Sequence, residues 1–425
     1  METLKALSRI ISVLFVICYA NQLVYIFVSL LSGRKERKAE KAISLRRNRY
    51  AVLICARNEE EVIGDLVRSV RRQTYPGQLV DTYVMADNCT DGTARAAANA
   101  GAYVFERNDR SRVGKGYALD ALLRNIRKTE PEGYDGYFVF DADNILAPDY
   151  IEQMDRTFSQ GYDIVTGYRN SKNYGSNWIS AGYALWFIRE SMYLSYPRYL
   201  VGSSCTVSGT GFMFSREVAE EMDGWPYHTL TEDLEFSCDQ ITRGRKIAFC
   251  RDAEFFDEQP VELKQSWDQR MRWCRGYLQV FGKYGMDLMR GAADGSYACL
   301  DCILGVLPAF ALSVLSFCID LALIICAAAM GEGLAGVLLP MVSALICSYT
   351  LMLILGAVTL VTEWKNIKAD TQRKIVYLFS FPVFMMTYAP IAIASLFVKA
   401  EWKPIRHTFS AERLGQVGVA DRGAV

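Results

Sequence analysis

A parallel α/β sheet wound by helices and set between membrane-spanning segments is the architecture this sequence predicts. Three observations lead to it. From 50 to 168, short apolar runs alternate with stretches of helical period. Polar residues gather where those apolar runs end. Residues 5–32 and most of 298–399 are apolar over lengths that match a bilayer, whereas 34–297 have the composition of soluble protein.

The soluble part follows strand by strand. YAVLIC (50–55) is short, apolar and ends in a polar cluster, as a strand buried on both faces does. EEEVIGDLVRSVRRQ then sets Val62, Ile63, Leu66, Val67 and Val70 on one helical stripe. LVDTYVMAD (79–87) is the next strand, and TARAAANAGA the helix after it, stopped at Gly101. AYVFE, GYALDALLRNIRK and GYFVFDAD repeat the alternation. Strands spaced by helices imply parallel pairing with right-handed crossovers, and ligands then bind beyond the carboxyl ends of the strands. At those ends lie Arg57, Asn58 and Glu59, then Asp87, Asn88 and Asp91, then Asp141 and Asp143. Neither a G-x-G-x-x-G nor a G-x-x-x-x-G-K-S/T follows the first strand, which excludes a dinucleotide fingerprint and a Walker loop.

The first apolar stretch is too long for a signal-peptide core and runs into the basic segment 34–49, which belongs on the cytoplasmic side. Further spans are expected near 306–330 and 336–361. A third segment, 375–399, contains Pro382 and Pro390 and ends in the basic VKAEWKPIRHT. A full crossing there would put that tail outside, against the charge rule, so the segment is expected to break at its prolines and return. Asp320 falls inside a span, lining a channel or near an interface. The resulting division is 1–33 membrane helix, 34–49 basic linker, 50–260 catalytic domain, 261–300 interfacial helices, 301–400 membrane or re-entrant segments and 401–425 cytoplasmic tail. Lys plus Arg equals Asp plus Glu at 47 each, so no global field points to nucleic acid. Twelve scattered cysteines form no disulfide framework, and Cys299 with Cys302 makes a lone C-x-x-C without a second pair for zinc.

Two acidic stretches carry chemistry. DADN (141–144) sets Asp141 and Asp143 at i and i+2 past a strand, a geometry that serves one hard divalent cation, Mg²⁺ or Mn²⁺. In TEDLEF (231–236), Asp233 can take a proton from an attacking hydroxyl. Equally, Glu232 and Asp233 are first-turn acids favoured by a helix dipole behind Thr231. WDQRMRWCRG (267–276) reads either as a basic helix on a membrane surface or as a site for something anionic and flat-faced. With two histidines in the chain, His228 and His407 bound any imidazole chemistry.

In order, ICARNEE, ADNCTDGT, RVGKGYALD, FVFDADN, SGTGFMFS, LTEDLEF and QRMRW resemble the membrane-embedded family-2 glycosyltransferases, such as cellulose, hyaluronan, chitin-oligosaccharide and poly-N-acetylglucosamine synthases. The resemblance spans 50–276. It implies a GT-A fold in the plasma membrane, a UDP-sugar donor, inversion at the anomeric carbon, and Mg²⁺ or Mn²⁺. The product it implies is a β-linked polysaccharide elongated processively, or alternatively a glycolipid. Residue by residue, it puts Asp87 on uridine and Lys115 on the nucleotide, with Ala56, Arg57 and Glu59 nearby. Asp141 contacts the nucleotide sugar, Asp143 the metal, and Asp233 beside Glu232 is the base. Gly209, Thr210 and Gly211 border the acceptor. Gln269, Arg272 and Trp273 form a Q-x-x-R-W signature, with Arg272 on the diphosphate and Trp273 under the acceptor sugar. Trp267, Arg270 and Arg275 are left to hold that helix on the membrane. More loosely, Trp402, His407 and Thr408 resemble a gating loop.

Overall fold

The computed structural model describes residues 2–32, 47–331, 335–398 and 407. Of the tail residues singled out in the sequence, Trp402 and Thr408 lie outside this set. In chain order the elements begin with the long helix α1 (Glu2–Leu31). β1 (Tyr50–Ala56), α2 (Ile63–Arg71), β2 (Val80–Asp87), α3 (Thr93–Ala100), β3 (Tyr103–Arg107), α4 (Lys115–Thr129) and β4 (Gly136–Asp141) are the expected alternation. β5 (Ile145–Leu146), α5 (Tyr150–Phe158), β6 (Ile164–Ser171) and α6 (Trp178–Glu190) follow. After α6 comes a π-helical turn, Ser191–Ser195, and the short α7 (Tyr196–Leu200). β7 (Phe212–Ser215), α8 (Arg216–Met222), α9 (Glu232–Thr242) and β8 (Ile247–Asp257) complete the sheet domain.

The eight strands form one sheet in the order β3-β2-β1-β4-β7-β6-β8-β5. Side chains alternate across it. Tyr50, Val52 and Ile54 face one core with Leu66, Val67 and Phe140, while Ala51 and Leu53 face the other with Leu119, Leu122 and Phe214. Burial on both faces is why β1 lacks polar alternation. The expectation of an all-parallel sheet holds for β3-β2-β1-β4 and for β6-β8, but β7 runs antiparallel to both β4 and β6. The 201–211 segment enters β7 from the cleft side, and that route reverses it. It also carries Gly209 back to the end of β4.

Among the described residues, four helices are long and apolar enough to cross a membrane: Glu2–Leu31, Ala311–Ala329, Ala335–Thr362 and Thr371–Phe397. Between the sheet and these lies α10 (Leu263–Ala293), followed by α11 (Tyr297–Val306), α12 (Pro308–Ala329) and α13 (Ala335–Thr362). The last apolar segment is two helices, α14 (Thr371–Met386) and α15 (Tyr388–Phe397). They divide at Thr387, just ahead of Pro390, which has no N–H to continue the ladder. Both ends of this pair meet the sheet-domain side. Arg373 donates to the Gly175 carbonyl at 3.0 Å, and Arg275 of α10 donates to the Ser395 carbonyl at 3.1 Å. α1 docks through a polar stripe: Asn21 donates to Asp301 at 3.1 Å, Ser29 to the Met192 carbonyl at 2.7 Å, and Tyr25 pairs with Tyr297 at 2.8 Å.

Arg270 overturns the expectation of a membrane-surface cation. It is 0% exposed, and its Nη1 donates to the Phe384 carbonyl at 3.1 Å and to Thr387 Oγ1 at 2.7 Å. Its guanidinium also lies over Phe384 and Tyr388, at 4.4 and 5.0 Å. Trp267 likewise packs against α15, near Ile391 and Ala392. The reason is the helix break: carbonyls left without amide partners need another donor in an apolar setting, and α10 supplies it. Arg270→Ala should therefore cost about 3–5 kcal/mol, from the orphaned acceptors plus the void. Thermal unfolding of the detergent-solubilised chain measures this; a loss within a few tenths of a kcal/mol would contradict it.

Candidate active site

The polar ends of β1, β2 and β4 open into one cavity of about 1280 Å³. Asn58 and Asn88 take left-handed backbone, φ 58° and 53°, directly after β1 and β2, turning the chain away and leaving the strand ends open. From the sheet, Ala56, Arg57, Glu59, Asp87, Asp141 and Asp143 line the cavity, with Lys115 from the start of α4. Glu232 and Asp233 enter from the first turn of α9, and Gln269, Arg272 and Trp273 from one face of α10. Gly209, His228 and His407 reach it as well.

Charge is arranged in pairs. Lys115 Nζ donates to Asp141 Oδ1 and, at 2.6 Å, to the Gly209 carbonyl. Burial pulls this lysine down, but Asp141 and Glu232 outweigh it and hold it above its ordinary value. Arg107 donates to Asp87 at 2.6 Å. Asp143 is buried, which raises it, yet His407, Lys172 and the Glu258 N–H, at 2.7 Å, hold it below the usual carboxylate value. His407 Nδ1 lies 3.0 Å from each Glu59 carboxylate oxygen. Burial opposes protonation of this imidazole, but Asp143 and Glu59 push it up to about 10. Glu59 and Asp143 thus hold a positive charge between them.

Glu232 and Asp233 are the exception, since neither carboxylate is given a dedicated cation. Burial, then the neighbouring Asp233 charge, lifts Glu232 to about 7 against the pull of Lys115 and Arg272. Asp233 is also raised, chiefly by burial, against its helix-end amides and the same two cations. Such a pair can accept a proton near neutral pH.

Two of the residues expected at the acceptor side are turned elsewhere. Thr210 accepts from the Asp141 N–H at 2.9 Å and donates to Asn144, so it ties the β4 end together. Gly211, at φ 64°, abuts Phe255: an added Cβ would lie 2.0 Å from that ring, so this glycine serves packing. Trp273 reaches the cavity while its ring stands edge-on to Tyr183 and Phe187, at 5.9 and 6.1 Å.

Sequence reading missed the residues that hold the pair in place. Glu235 is buried and accepts from the His228 and Thr229 amides, at 3.0 and 2.9 Å, and from Lys283 at 2.5 Å. That fixes the loop leading into α9. Gly276 of α10 sits so near Thr231 that a Cβ would come within 2.5 Å of its side chain. The only prior signal was small: an acid at the helix's first turn and a glycine three residues past Trp273.

Glu232 carries a sign-determined consequence. Its folded value exceeds its ordinary 4.5, so ionising it costs folding free energy as pH rises between those two values. Glu232→Gln should unfold with the parent at about pH 4 and above it, by several degrees, at about pH 8. A melting difference that does not grow with pH would contradict this.

Comparison with known proteins places these features in a family. Beta-monoglucosyldiacylglycerol synthase of Synechocystis sp. is 24% identical over 239 residues, covering 55% of this chain and 48% of that protein. A 4,4'-diaponeurosporenoate glycosyltransferase of Staphylococcus aureus is 35% identical over 103 residues, 24% of this chain and 25% of that protein. The chain spans about half the length, or less, of these curated relatives. In fold it is similar to a mannosyltransferase, PcManGT, of Pyrobaculum calidifontis, solved in complex with GDP-Man and Mn²⁺. The TM-score is 0.57 at 18% identity, over 92% of this chain and 99% of that one. The sheet is thus GT-A-like. Residues 47–276 match the family described as "Glycosyltransferase like family 2", and the chain belongs to it.

Proposed function

We propose that this glycosyltransferase moves a sugar from a UDP-sugar to a hydroxyl of a membrane-borne lipid. The observation that carries the reading is continuity. The cavity holding Glu232 and Asp233 extends between the apolar helices, lined there by Phe15 and Val16 of α1 and by Leu351, Met352 and Leu355 of α13. An acyl or isoprenoid tail is stabilised by such walls, at about 25 cal/mol per Å² of apolar surface covered. A growing polysaccharide would leave its hydroxyls facing them unpaired. The named relatives, a monoglucosyldiacylglycerol synthase and a diaponeurosporenoate glycosyltransferase, favour the lipid reading over polymer elongation.

In this reading Asp87 holds the uridine end, and Arg57 and Lys115 flank the diphosphate. Arg272 meets the charge that develops there as the glycosidic bond breaks. Asp233, raised toward neutrality with Glu232, removes the acceptor hydroxyl's proton as that oxygen attacks the anomeric carbon from the opposite face. Among the described residues, no three His, Cys, Asp or Glu groups form a ready metal cage. The charge held between Glu59 and Asp143 by His407 nevertheless fits a cation. Asp143 with Glu59 would hold Mg²⁺ or Mn²⁺ there, in place of the imidazolium charge. Bound there, the ion would neutralise the leaving group. We infer that the catalytic face is cytoplasmic, because the sequence that follows α1 is basic, and that 371–397 enters the bilayer and returns.

Incubating membranes that contain the chain with a panel of radiolabelled UDP-sugars tests this. Label should pass into organic solvent, and Asp233→Asn should lower transfer by about 10²–10⁴-fold while UDP binding persists. Label retained in a water-soluble polymer would contradict the lipid acceptor. Undiminished transfer by Asp233→Asn would remove the base assignment.

A further inference from the structure

Where the catalytic cleft opens into the apolar half of the cavity stands Arg189, at the end of α6. It is 4% exposed, and it lines the cavity with Trp186 and Gln22. Its Nη2 donates to the Gln22 side-chain oxygen on α1 at 2.5 Å, its guanidinium lies 5.4 Å from the Trp186 ring, and its Nε has no partner.

The other buried arginines here are better provided. Arg198 has Asp301 at 2.5 Å; Arg270, whose Nη2 is likewise unpartnered, still has a carbonyl, a hydroxyl and three aromatic faces, and it does not line the cavity. The carboxylate next to Arg189, Glu190, instead accepts from Ser208 at 2.8 Å. Burial without an adequate counter-charge pulls Arg189 down to about 10, Arg198 adding to the effect against Glu190. A guanidinium has five N–H donors, and one neutral oxygen does not satisfy it. Leaving such a group unpaired is costly, so the natural complement is an anion that arrives with the ligand. Its position suits this: Ser208, which donates to Glu190 at the end of α6, precedes Gly209, where an added Cβ would lie 3.4 Å from Asp233 Oδ2.

We propose that Arg189 reads the acceptor's headgroup, and that the lipid receiving the sugar bears an oxyanion, phosphate or carboxylate, close to the reacting hydroxyl. The inference rests on the lipid-acceptor reading and narrows it to acidic amphiphiles. A planar guanidinium accepts two oxyanion oxygens at once, fixing the headgroup's orientation toward Asp233 while the tail lies along α1 and α13.

The test uses the full chain in phosphatidylcholine vesicles with the UDP-sugar that the panel identifies. Lipids extracted from the source membranes are separated by anion exchange into neutral, phosphate-bearing and carboxylate-bearing fractions. Sugar should appear on an acidic fraction, and which of the two it is names the anion. Arg189→Gln should raise the KM for that fraction by about ten- to a hundredfold with the donor KM unmoved. Arg189→Lys should recover part of the loss, and an unchanged melting temperature for either variant separates recognition from folding. Sugar on neutral lipids alone, or an equal loss by Arg189→Gln on neutral and acidic lipids, overturns the headgroup assignment and leaves a lipid acceptor standing. Sugar on no lipid overturns both.

Discussion

A buried guanidinium, that of Arg270, ties the helix lining the cleft to the broken membrane helix. Arg270 lies on α10 among Gln269, Arg272 and Trp273, which line the cleft, and it closes the break between α14 and α15. Trp273, one turn on from Arg270, stands edge-on to Tyr183, and the Arg270 guanidinium lies 5.8 Å from the same ring, so the cleft and the helix break meet along neighbouring faces of α10. The same helix reaches the base pair through Gly276 against Thr231 and through Lys283 on Glu235. The positions of Arg272, of Glu232 and Asp233 and of the α14–α15 break are therefore all tied to α10.

The electrostatics follow a corresponding division. Carboxylates at the strand ends are each held by a cation, as Asp87 is by Arg107, Asp141 by Lys115 and Asp257 by Arg169. Buried charges need that pairing, since desolvation costs several kcal/mol per ion. Glu232 and Asp233 depart from the rule, and burial raises both, Glu232 to about 7. Arg189 departs from it on the cationic side. Both departures line the cavity, where a substrate rather than the protein would supply the missing partner.

Much of this was legible in the chain itself. The first four strands and their helices were readable because burial on both sheet faces leaves continuous apolar runs, and helices leave a stripe. The sites at the strand ends followed from parallel winding. The direction of β7 was not readable, because a four-residue apolar strand has no mark for parallel or antiparallel pairing. Nor was the role of Arg270: an arginine among arginines looks like surface charge, and only the helix break makes it an internal donor. Thr210 and Gly211 looked like acceptor contacts from their place in SGTGFMFS, but tertiary neighbours turned them to Asn144 and Phe255. The meeting of His407 with Glu59 spans 348 positions, beyond any local pattern.

The central claim is that sugar transfer happens in a compartment continuous with the membrane interior. A photoreactive amino acid placed at Met352, on the cavity wall, tests it directly when the full chain turns over a radiolabelled UDP-sugar under illumination. The same substitution at Leu339, 71% exposed on the outside of the same helix, is the control. Label bound covalently at 352 and not at 339 is the result expected, since the labelled product's tail would lie along that wall. Label at neither position while product forms, or equally at both, would contradict a shared compartment.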